Sequence, residues 1–169
     1  MPGAVVVFES MFGCTQSVAE AVGAGLASCG VATDVVEVGR ADELSALVKA
    51  ASLLVVGAPT HMRGMSTPRT RALARGRGDL VSGDVGVHEW LDALPGLDDR
   101  AAAVFDTRLR SRFAGSAGVR IERVLRKHGA RLVAPVQAFT IDHAEGGDEA
   151  LDPAQVDLAF AWGCSLAGR

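Results

Sequence analysis

The sequence predicts an α/β protein in which helices cover both faces of a parallel sheet. Apolar β-branched runs alternate with helical patterns along all 169 residues, and such alternation is typical of parallel strands joined by right-handed crossovers. Three of the runs are continuously apolar, as expected of central strands covered on both sides. The chain has no repeat, linker or low-complexity tract, so residues 1–169 are predicted to form a single domain. The predicted class is a three-layer α/β/α sandwich with a five-stranded parallel sheet.

Five segments carry the strand pattern. The first, third and fourth are the continuous apolar runs, whereas the second alternates and is expected at an edge of the sheet. Pro135 lies inside the fifth segment and lacks an amide hydrogen, so an edge or a bulge is predicted there. The predicted strands span residues 4–8, 32–37, 52–58, 101–105 and 131–139.

The segments between these strands carry apolar residues at helical spacing. Gly30 and Gly129 directly follow two of them, as glycine often does at a helix C-terminus. Asp152 and Pro153 have the pattern of an N-cap followed by the first helical residue. The predicted helices span residues 15–28, 42–49, 67–75, 86–93, 116–128 and 153–167.

Composition excludes several classes of protein. No apolar run reaches the roughly 18 residues of a membrane span, so no membrane insertion is expected. A net charge of −3 with 5% aromatic residues argues against nucleic-acid binding. Residues 1–4 contain no basic region or cleavage site, so a cytoplasmic location is expected. The three cysteines form no CxxC pair, which favours reduced thiols. Cys29 and Cys164 are expected to be small buried apolar residues.

The junction between the first strand and the first helix is the most informative segment. Residues 9–15, Glu-Ser-Met-Phe-Gly-Cys-Thr, lead a buried strand directly into a helix N-terminus, where free amides and the helix dipole favour an anion. Ser10 and Thr15 add hydroxyl groups, so the loop is predicted to hold a phosphate. The alternative is an ordinary turn with Thr15 as the helix N-cap. A P-loop sequence and a dinucleotide fingerprint are both missing from this turn.

Two further polar loops follow the third and fourth strands. Residues 57–66 read Gly-Ala-Pro-Thr-His-Met-Arg-Gly-Met-Ser, and residues 106–116 read Asp-Thr-Arg-Leu-Arg-Ser-Arg-Phe-Ala-Gly-Ser. In open α/β sheets, ligands bind beyond the carboxyl ends of the strands, at the point where the strand order reverses. The three loops are therefore expected to border one ligand site.

These motifs resemble those of flavodoxin-like proteins. Residues 10–15 are similar to their phosphate loop, with phenylalanine at position 12 instead of its middle threonine and cysteine at 14 instead of the common asparagine. Residues 57–66 are similar to the second flavin loop of a subgroup with a Gly-x-Pro-Thr-His pattern. Residues 105–117 resemble that subgroup's third loop. The resemblance covers essentially the whole chain and implies the strand order 2-1-3-4-5.

The resemblance implies bound flavin mononucleotide (FMN). Its phosphate would rest on the amides of residues 11–15 and on the hydroxyls of Ser10 and Thr15. Its ring would lie between the second and third loops. Phe113 or His61 would stack on the ring, because the chain contains no tyrosine. The cofactor-binding residues implied in this way are Ser10, Met11, Phe12, Gly13, Cys14, Thr15, Pro59, Thr60, His61, Met62, Arg63, Gly64, Asp106, Thr107, Arg108, Phe113, Gly115 and Ser116.

The implied function is electron transfer, or reduction of a small substrate, by an FMN-binding protein whose partner is a redox protein or a small redox substrate. The alternative is a flavodoxin-like scaffold that has lost FMN and serves as a binding or interaction module. Phe12 and the lack of tyrosine keep this alternative open. A response-regulator receiver is excluded, because the third strand ends in Gly57, Ala58 and Pro59 rather than in an aspartate.

Three further predictions concern single residues and the arginines. Trp90 and Trp162 lie on helical faces and are predicted to pack in the core. Asp106 is predicted to hold the third loop by accepting hydrogen bonds from backbone amides. A solvated face is the ordinary interpretation of the arginine clusters, but arginines beside the implied ring favour a partner with an anionic face. The two clusters are Arg63, Arg69, Arg71, Arg75 and Arg77, and Arg108, Arg110 and Arg112.

Overall fold

The computed structural model describes residues 3–144 and 147–169. Its strands form one sheet in the order β2-β1-β3-β4-β6-β7, with β5 paired to the start of β4. The strands are β1 Ala4–Phe8, β2 Thr33–Glu37, β3 Leu53–Pro59, β4 Ala101–Leu109, β5 Arg131–Leu132, β6 Gln137–His143 and β7 Glu149–Leu151. The helices are α1 Cys14–Ser28, α2 Ala41–Ala50, α3 Pro68–Arg75, α4 Val87–Asp92, α5 Ala117–Lys127 and α6 Pro153–Leu166. Each predicted helix is present, and its ends differ from the prediction by at most one residue.

The predicted α/β class and the order of the parallel strands are confirmed, but the prediction of five strands is wrong. The predicted fifth strand is divided into β5, which pairs with Ala101 and Ala102, and β6, which pairs with Phe105 onward. Residues 133–136 thus lie opposite only two residues of β4. Pro135 falls inside this interruption, where its missing amide hydrogen is harmless. The predicted bulge is therefore present.

The sequence interpretation missed β7. This strand runs antiparallel to β6 and pairs Glu149 with His143 at the edge of the sheet. It is only three residues long and lies in an acidic stretch, so its composition did not indicate a strand. Gly147, with φ at 87°, was the available signal, because glycine between two short extended segments favours a hairpin.

Two apolar layers cover the sheet. One face packs against α2, α4 and α5 and contains the buried Trp90. The other packs against α1 and α6, where Trp162 makes edge contacts with Phe105 and Phe139 at centroid distances of 6.1 and 6.2 Å. Both tryptophans therefore pack in the core, as predicted. No helix among the described residues is long and apolar enough to span a membrane.

Helices α1 and α6 approach each other closely through glycine. A Cβ at Gly25 would collide with the carbonyl oxygen of Phe160 and stand 2.9 Å from the amide nitrogen of Cys164. At the end of this contact Cys29 and Cys164 form a disulfide with Cα atoms 5.5 Å apart. The expectations of reduced thiols and of burial are wrong for these two cysteines, since Cys29 is exposed and Cys164 is half-buried. Their separation of 135 residues in sequence concealed the pairing.

Candidate functional site

The first loop connects β1 to α1 in a tight turn. Gly13 is the N-cap residue, with a left-handed φ of 104° that favours glycine. The buried Ser10 hydroxyl accepts hydrogen bonds from the amides of Gly13 and Gln16, each at 3.2 Å. A serine hydroxyl that accepts two bonds still has one proton to donate. These two hydrogen bonds fix the conformation of the loop. Gly13, and not Thr15, is the N-cap residue of α1.

Four amides of this loop remain available to a ligand. Within the described residues, the backbone N–H groups of Met11, Phe12, Cys14 and Thr15 donate no hydrogen bond. They lie at the N-terminus of the 15-residue helix α1, where the helix dipole is positive. Four free donors at such a position suit a phosphate, which accepts several hydrogen bonds at once.

Thr15 links the first loop to the third. Its hydroxyl lies 2.8 Å from that of Thr107 at the end of β4, and either oxygen can donate. Both side chains are buried. The first turn of α1 is therefore joined directly to β4.

A segment between α3 and α4 also holds the first loop, and the sequence interpretation missed it. The amides of Val81 and Ser82 donate to the carbonyls of Met11 and Ser10 at 2.9 and 2.8 Å. The buried Ser82 hydroxyl accepts from the Ser10 amide at 3.1 Å. No residue type or spacing in this segment distinguishes it from an ordinary loop, so the contact depends on the tertiary fold.

A cleft of about 360 Å³ opens beside the free amides. Its walls combine the first loop, the second loop, helix α3 and the ends of β4 and β7. Apolar and aromatic side chains predominate, which suits a flat organic ring. The lining residues are Met11, Phe12, His61, Met62, Thr70, Leu73, Ala74, Arg77, Leu109 and Glu149.

Two ionisable groups near this cleft have shifted pKa values. Burial, and then the charge of Arg71, lower the pKa of His61, so this imidazole is neutral at pH 7. Its Nδ1 lies 3.2 Å from the Thr70 hydroxyl. Burial, and then the charge of Glu149, raise the pKa of the Cys14 thiol. Cys14 therefore stays protonated at neutral pH and is not a reactive thiolate.

The second loop turns sharply at Met62 and Arg63. His61 and Gly64 exchange two backbone hydrogen bonds of 2.8 Å, and the two residues between them have φ values of 47° and 71°. This is the backbone of a two-residue hairpin that normally contains glycine, asparagine or aspartate. The turn holds Met62 85% exposed at its tip. Side chains other than glycine in this conformation store backbone strain at the edge of the cleft.

Asp106 organises the third loop, as predicted. Its fully buried carboxylate accepts hydrogen bonds from the Gly118 amide at 2.9 Å and from the Ser116 hydroxyl at 2.6 Å. It also accepts from the Arg108 guanidinium at 2.9 and 3.2 Å. Arg108 is therefore turned toward Asp106, which compensates much of its charge.

The second and third loops touch each other directly. Arg63 and Gly115 form a backbone bridge, and a Cβ at Gly115 would stand 2.5 Å from the Cα of Arg63. Phe113, in the third loop, is 68% exposed, and the Arg112 guanidinium lies 5.6 Å from its ring centroid.

The structure divides the sequence-predicted site residues into groups. Met11, Phe12, His61 and Met62 line the cleft beside the first loop. A second cleft of about 500 Å³, on the other side of the second loop, is lined by Arg63, Arg108, Gly115 and Ser116 together with Ser111, Arg112, Val119, Arg120 and Arg123. Ser10, Thr15, Pro59, Gly64, Asp106 and Thr107 are buried around the loops, and Phe113 lines neither cleft.

A buried polar network lies behind the first cleft, and the sequence interpretation missed it. The Glu9 carboxylate accepts from the Ser66 hydroxyl and from the Val87 amide, the latter at 2.8 Å. Arg71, 2% exposed, donates to Ser66 and to Glu89, both at 2.9 Å. These bonds tie the end of β1 to α3 and α4.

The two carboxylates of this network have pKa values shifted in opposite directions. Burial raises the pKa of Glu9, although hydrogen bonds from Ser66 and Val87 and the charge of Arg71 oppose the shift. Burial also acts to raise the pKa of Glu89, but the hydrogen bond from Arg71 and further amide bonds outweigh it and lower that pKa. The positive charge of Arg71 therefore acts to lower the pKa of both carboxylates.

An open, mainly parallel sheet whose order reverses between β1 and β3, with a loop of free amides after β1 and a cleft beside it, is the architecture of doubly wound α/β proteins. The sequence model described as flavodoxin matches residues 6–153, and the chain belongs to the flavodoxin family. This membership supports flavin-dependent electron transfer as the general function. The finer assignment to a Gly-x-Pro-Thr-His subgroup stays a prediction.

Solved structures of flavodoxins share the fold. A flavodoxin from the domain Archaea is 22% identical with a TM-score of 0.67, over 98% of this chain and 96% of its own. Flavodoxin 1 from Bacillus cereus is 17% identical with a TM-score of 0.66, over 95% and 94%. A WrbA-like flavodoxin from Agrobacterium tumefaciens is 19% identical with a TM-score of 0.62, over 98% and 95%. No curated protein matches the sequence.

Proposed function

We propose that this protein binds FMN in the cleft beside the first loop and carries electrons to a redox partner protein or a small redox substrate. The observation that carries the proposal is the set of four free amides at Met11, Phe12, Cys14 and Thr15, which opens onto a mainly apolar cleft. The amides match a phosphate and the cleft matches a flat ring. FMN would supply the redox chemistry, which no side chain of the cleft provides.

Different residues of the chain would bind the phosphate and the ring of FMN. The first loop would bind the phosphate through its amides, and the hydroxyl protons of Ser10 and Thr15 would add two donors, since Thr15 can accept from Thr107 and keep its own proton. His61, neutral at pH 7, would border the ring without adding charge. The apolar side chains of Met11, Leu73 and Leu109 would exclude water from the ring. Family membership lends no support to the alternative of a scaffold that has lost FMN.

Thr15 provides the test of the phosphate position. Thr15→Ala would remove one charge-assisted hydrogen bond, worth about 1.5–3 kcal/mol, so FMN affinity should fall by roughly one to two orders of magnitude. Thr107→Val is the matched comparison, because it removes the same Thr15–Thr107 contact but keeps the Thr15 hydroxyl. The loss of FMN affinity in Thr107→Val should be clearly smaller than the loss in Thr15→Ala. Equal losses in a fluorescence titration would mean that Thr15 acts only through packing.

We further propose that the partner or substrate presents an anionic face. Arg63 is exposed at the tip of the second loop, and no carboxylate within the described residues pairs with it. Arg63→Gln should slow electron transfer from the photoreduced protein to ferricyanide, an anion, but not to a neutral quinone. Arg69→Gln is the control, because Arg69 is also exposed but lies on α3 outside both clefts. Equal rates in both variants would refute the proposal.

We also propose a cytoplasmic location, and the disulfide between Cys29 and Cys164 is the feature that opposes it. Disulfides persist mainly in oxidising compartments. Alkylation of free thiols at the moment of cell lysis, followed by mass spectrometry, separates the cases. Alkylation of all three cysteines would support a cytoplasmic location, whereas alkylation of Cys14 alone would indicate an exported protein.

A further inference from the structure

The second cleft, of about 500 Å³, lies on the face of the protein formed by α5 and the second and third loops. Four of its arginines, Arg63, Arg112, Arg120 and Arg123, are exposed. Within residues 3–144 and 147–169 none of the four makes an ion pair or a side-chain hydrogen bond. No carboxylate among the residues that the structure describes lines the cleft.

Several arginines elsewhere in the chain do have carboxylate partners. Arg126 lies on the same helix as Arg120 and Arg123 and pairs with Glu122 at 2.7 Å. Arg110 pairs with Asp142 at 3.5 Å. Four unpaired guanidinium groups around one concavity repel one another, and a bound anion would relieve this repulsion.

The donor chemistry of the cleft matches phosphate. Guanidinium groups bind phosphate oxygens through paired N–H donors. Ser111 adds a hydroxyl that accepts from the Phe113 amide at 3.2 Å and keeps its own proton free to donate. A diphosphate carries about three negative charges in a small volume, which four cations around a cleft of this size can neutralise.

We propose that this cleft binds the diphosphate or triphosphate group of a small molecule, at a site separate from the FMN cleft. The two sites lie on opposite sides of the second loop. His61 and Met62 face the first, and Arg63 faces the second. The proposal does not depend on FMN binding, since the second cleft contains no residue of the first loop.

The test is calorimetric titration of the full chain with inorganic pyrophosphate and tripolyphosphate, with and without saturating FMN. Saturable binding at one site is expected under both conditions. Arg120→Gln and Arg123→Gln should each weaken the affinity for pyrophosphate about tenfold. This is the lower end of the effect expected for an exposed charge-assisted hydrogen bond. Arg126→Gln is the matched control, because it changes the net charge equally on the same helix and should leave the affinity unchanged. Circular dichroism confirms that the variants are folded.

Three results would overturn the proposal. They are an absence of saturable binding, an equal loss in Arg126→Gln, and displacement of pyrophosphate by FMN, which would place the anion on the first loop. Tighter binding of a polyglutamate peptide than of tripolyphosphate would instead assign the cleft to an acidic protein partner and would also contradict it. Failure of FMN to bind, with pyrophosphate binding intact, would refute the proposed function and leave this inference standing.

Discussion

Replacement of Arg71 by methionine removes a buried cation while filling a similar volume. Arg71 is 2% exposed and donates to Ser66 and Glu89, and its charge also acts on Glu9. Loss of one partner from a buried ion pair typically costs 3–5 kcal/mol, because the other charge stays buried. Glu89 is 36% exposed and can be hydrated, and the buried Nε of Arg71 has no partner within the described residues. We therefore expect Arg71→Met to lower the free energy of unfolding by about 3 kcal/mol at pH 7, the low end of this range.

The pH dependence distinguishes lost charge from lost packing. Without Arg71 the pKa of Glu9, already raised by burial, rises further, so the ionised carboxylate destabilises the fold near pH 7. The lowered pKa of Glu89 gives stability that is present above its unfolded pKa and is lost as pH falls. Protonation of Glu9 as pH falls therefore removes its part of the penalty, whereas the contribution of Glu89 changes only below its unfolded pKa of 4.5. The difference in unfolding free energy between wild type and Arg71→Met should shrink as pH falls from 8 toward 5.

Urea unfolding at several pH values measures this difference. Arg75→Met is the matched control, because Arg75 lies on the same helix but is 56% exposed and 3.7 Å from a nearly fully exposed Asp84. It should change the free energy of unfolding by less than about 0.5 kcal/mol at every pH. Addition of Glu9→Gln to Arg71→Met should recover part of the loss. A difference that is constant from pH 8 to pH 5 would refute the electrostatic reasoning.

Three other substitutions test separate features. Gly25→Ala should lower the free energy of unfolding by about 1–2 kcal/mol in urea, because overpacking against α6 outweighs the gain in helix propensity; a more stable variant would contradict the close helix contact. Met62→Gly should raise it by up to about 1 kcal/mol, since φ is 47° and the side chain is exposed; destabilisation would mean that the turn is unstrained. Glu149→Gln should tighten FMN binding severalfold by removing a negative charge beside the phosphate loop; unchanged affinity in a fluorescence titration would place the phosphate elsewhere.

The sequence was sufficient to predict the class of fold, because its signals are local. The continuous apolar runs of β1, β3 and β4 can only be buried strands, and the spacing between them fits helices. The interruption at Pro135 followed from a missing amide hydrogen. In contrast, β7 is short and acidic, and its pairing depends on the neighbouring strand rather than on its own residues.

The sequence also located the three loops, but not their partners. Thr15 bonds to Thr107, Ser66 bonds to Glu9, and Cys29 pairs with a residue 135 positions away. Each of these contacts joins residues that the fold brings together from distant parts of the chain. The division of the loops into two clefts likewise depends on the turn at residues 62 and 63, whose positive φ values are unusual for methionine and arginine.

A comparison of FMN with riboflavin tests the central claim most directly. The two ligands share the ring, and only FMN carries the phosphate that the amides of Met11, Phe12, Cys14 and Thr15 would bind. Two charge-assisted bonds at the low end of their range are worth about 3 kcal/mol, which is about a hundredfold in affinity. Flavin fluorescence titrations should therefore give a dissociation constant for FMN at least a hundredfold below that for riboflavin. Equal affinities, or no uptake of FMN, would contradict the account.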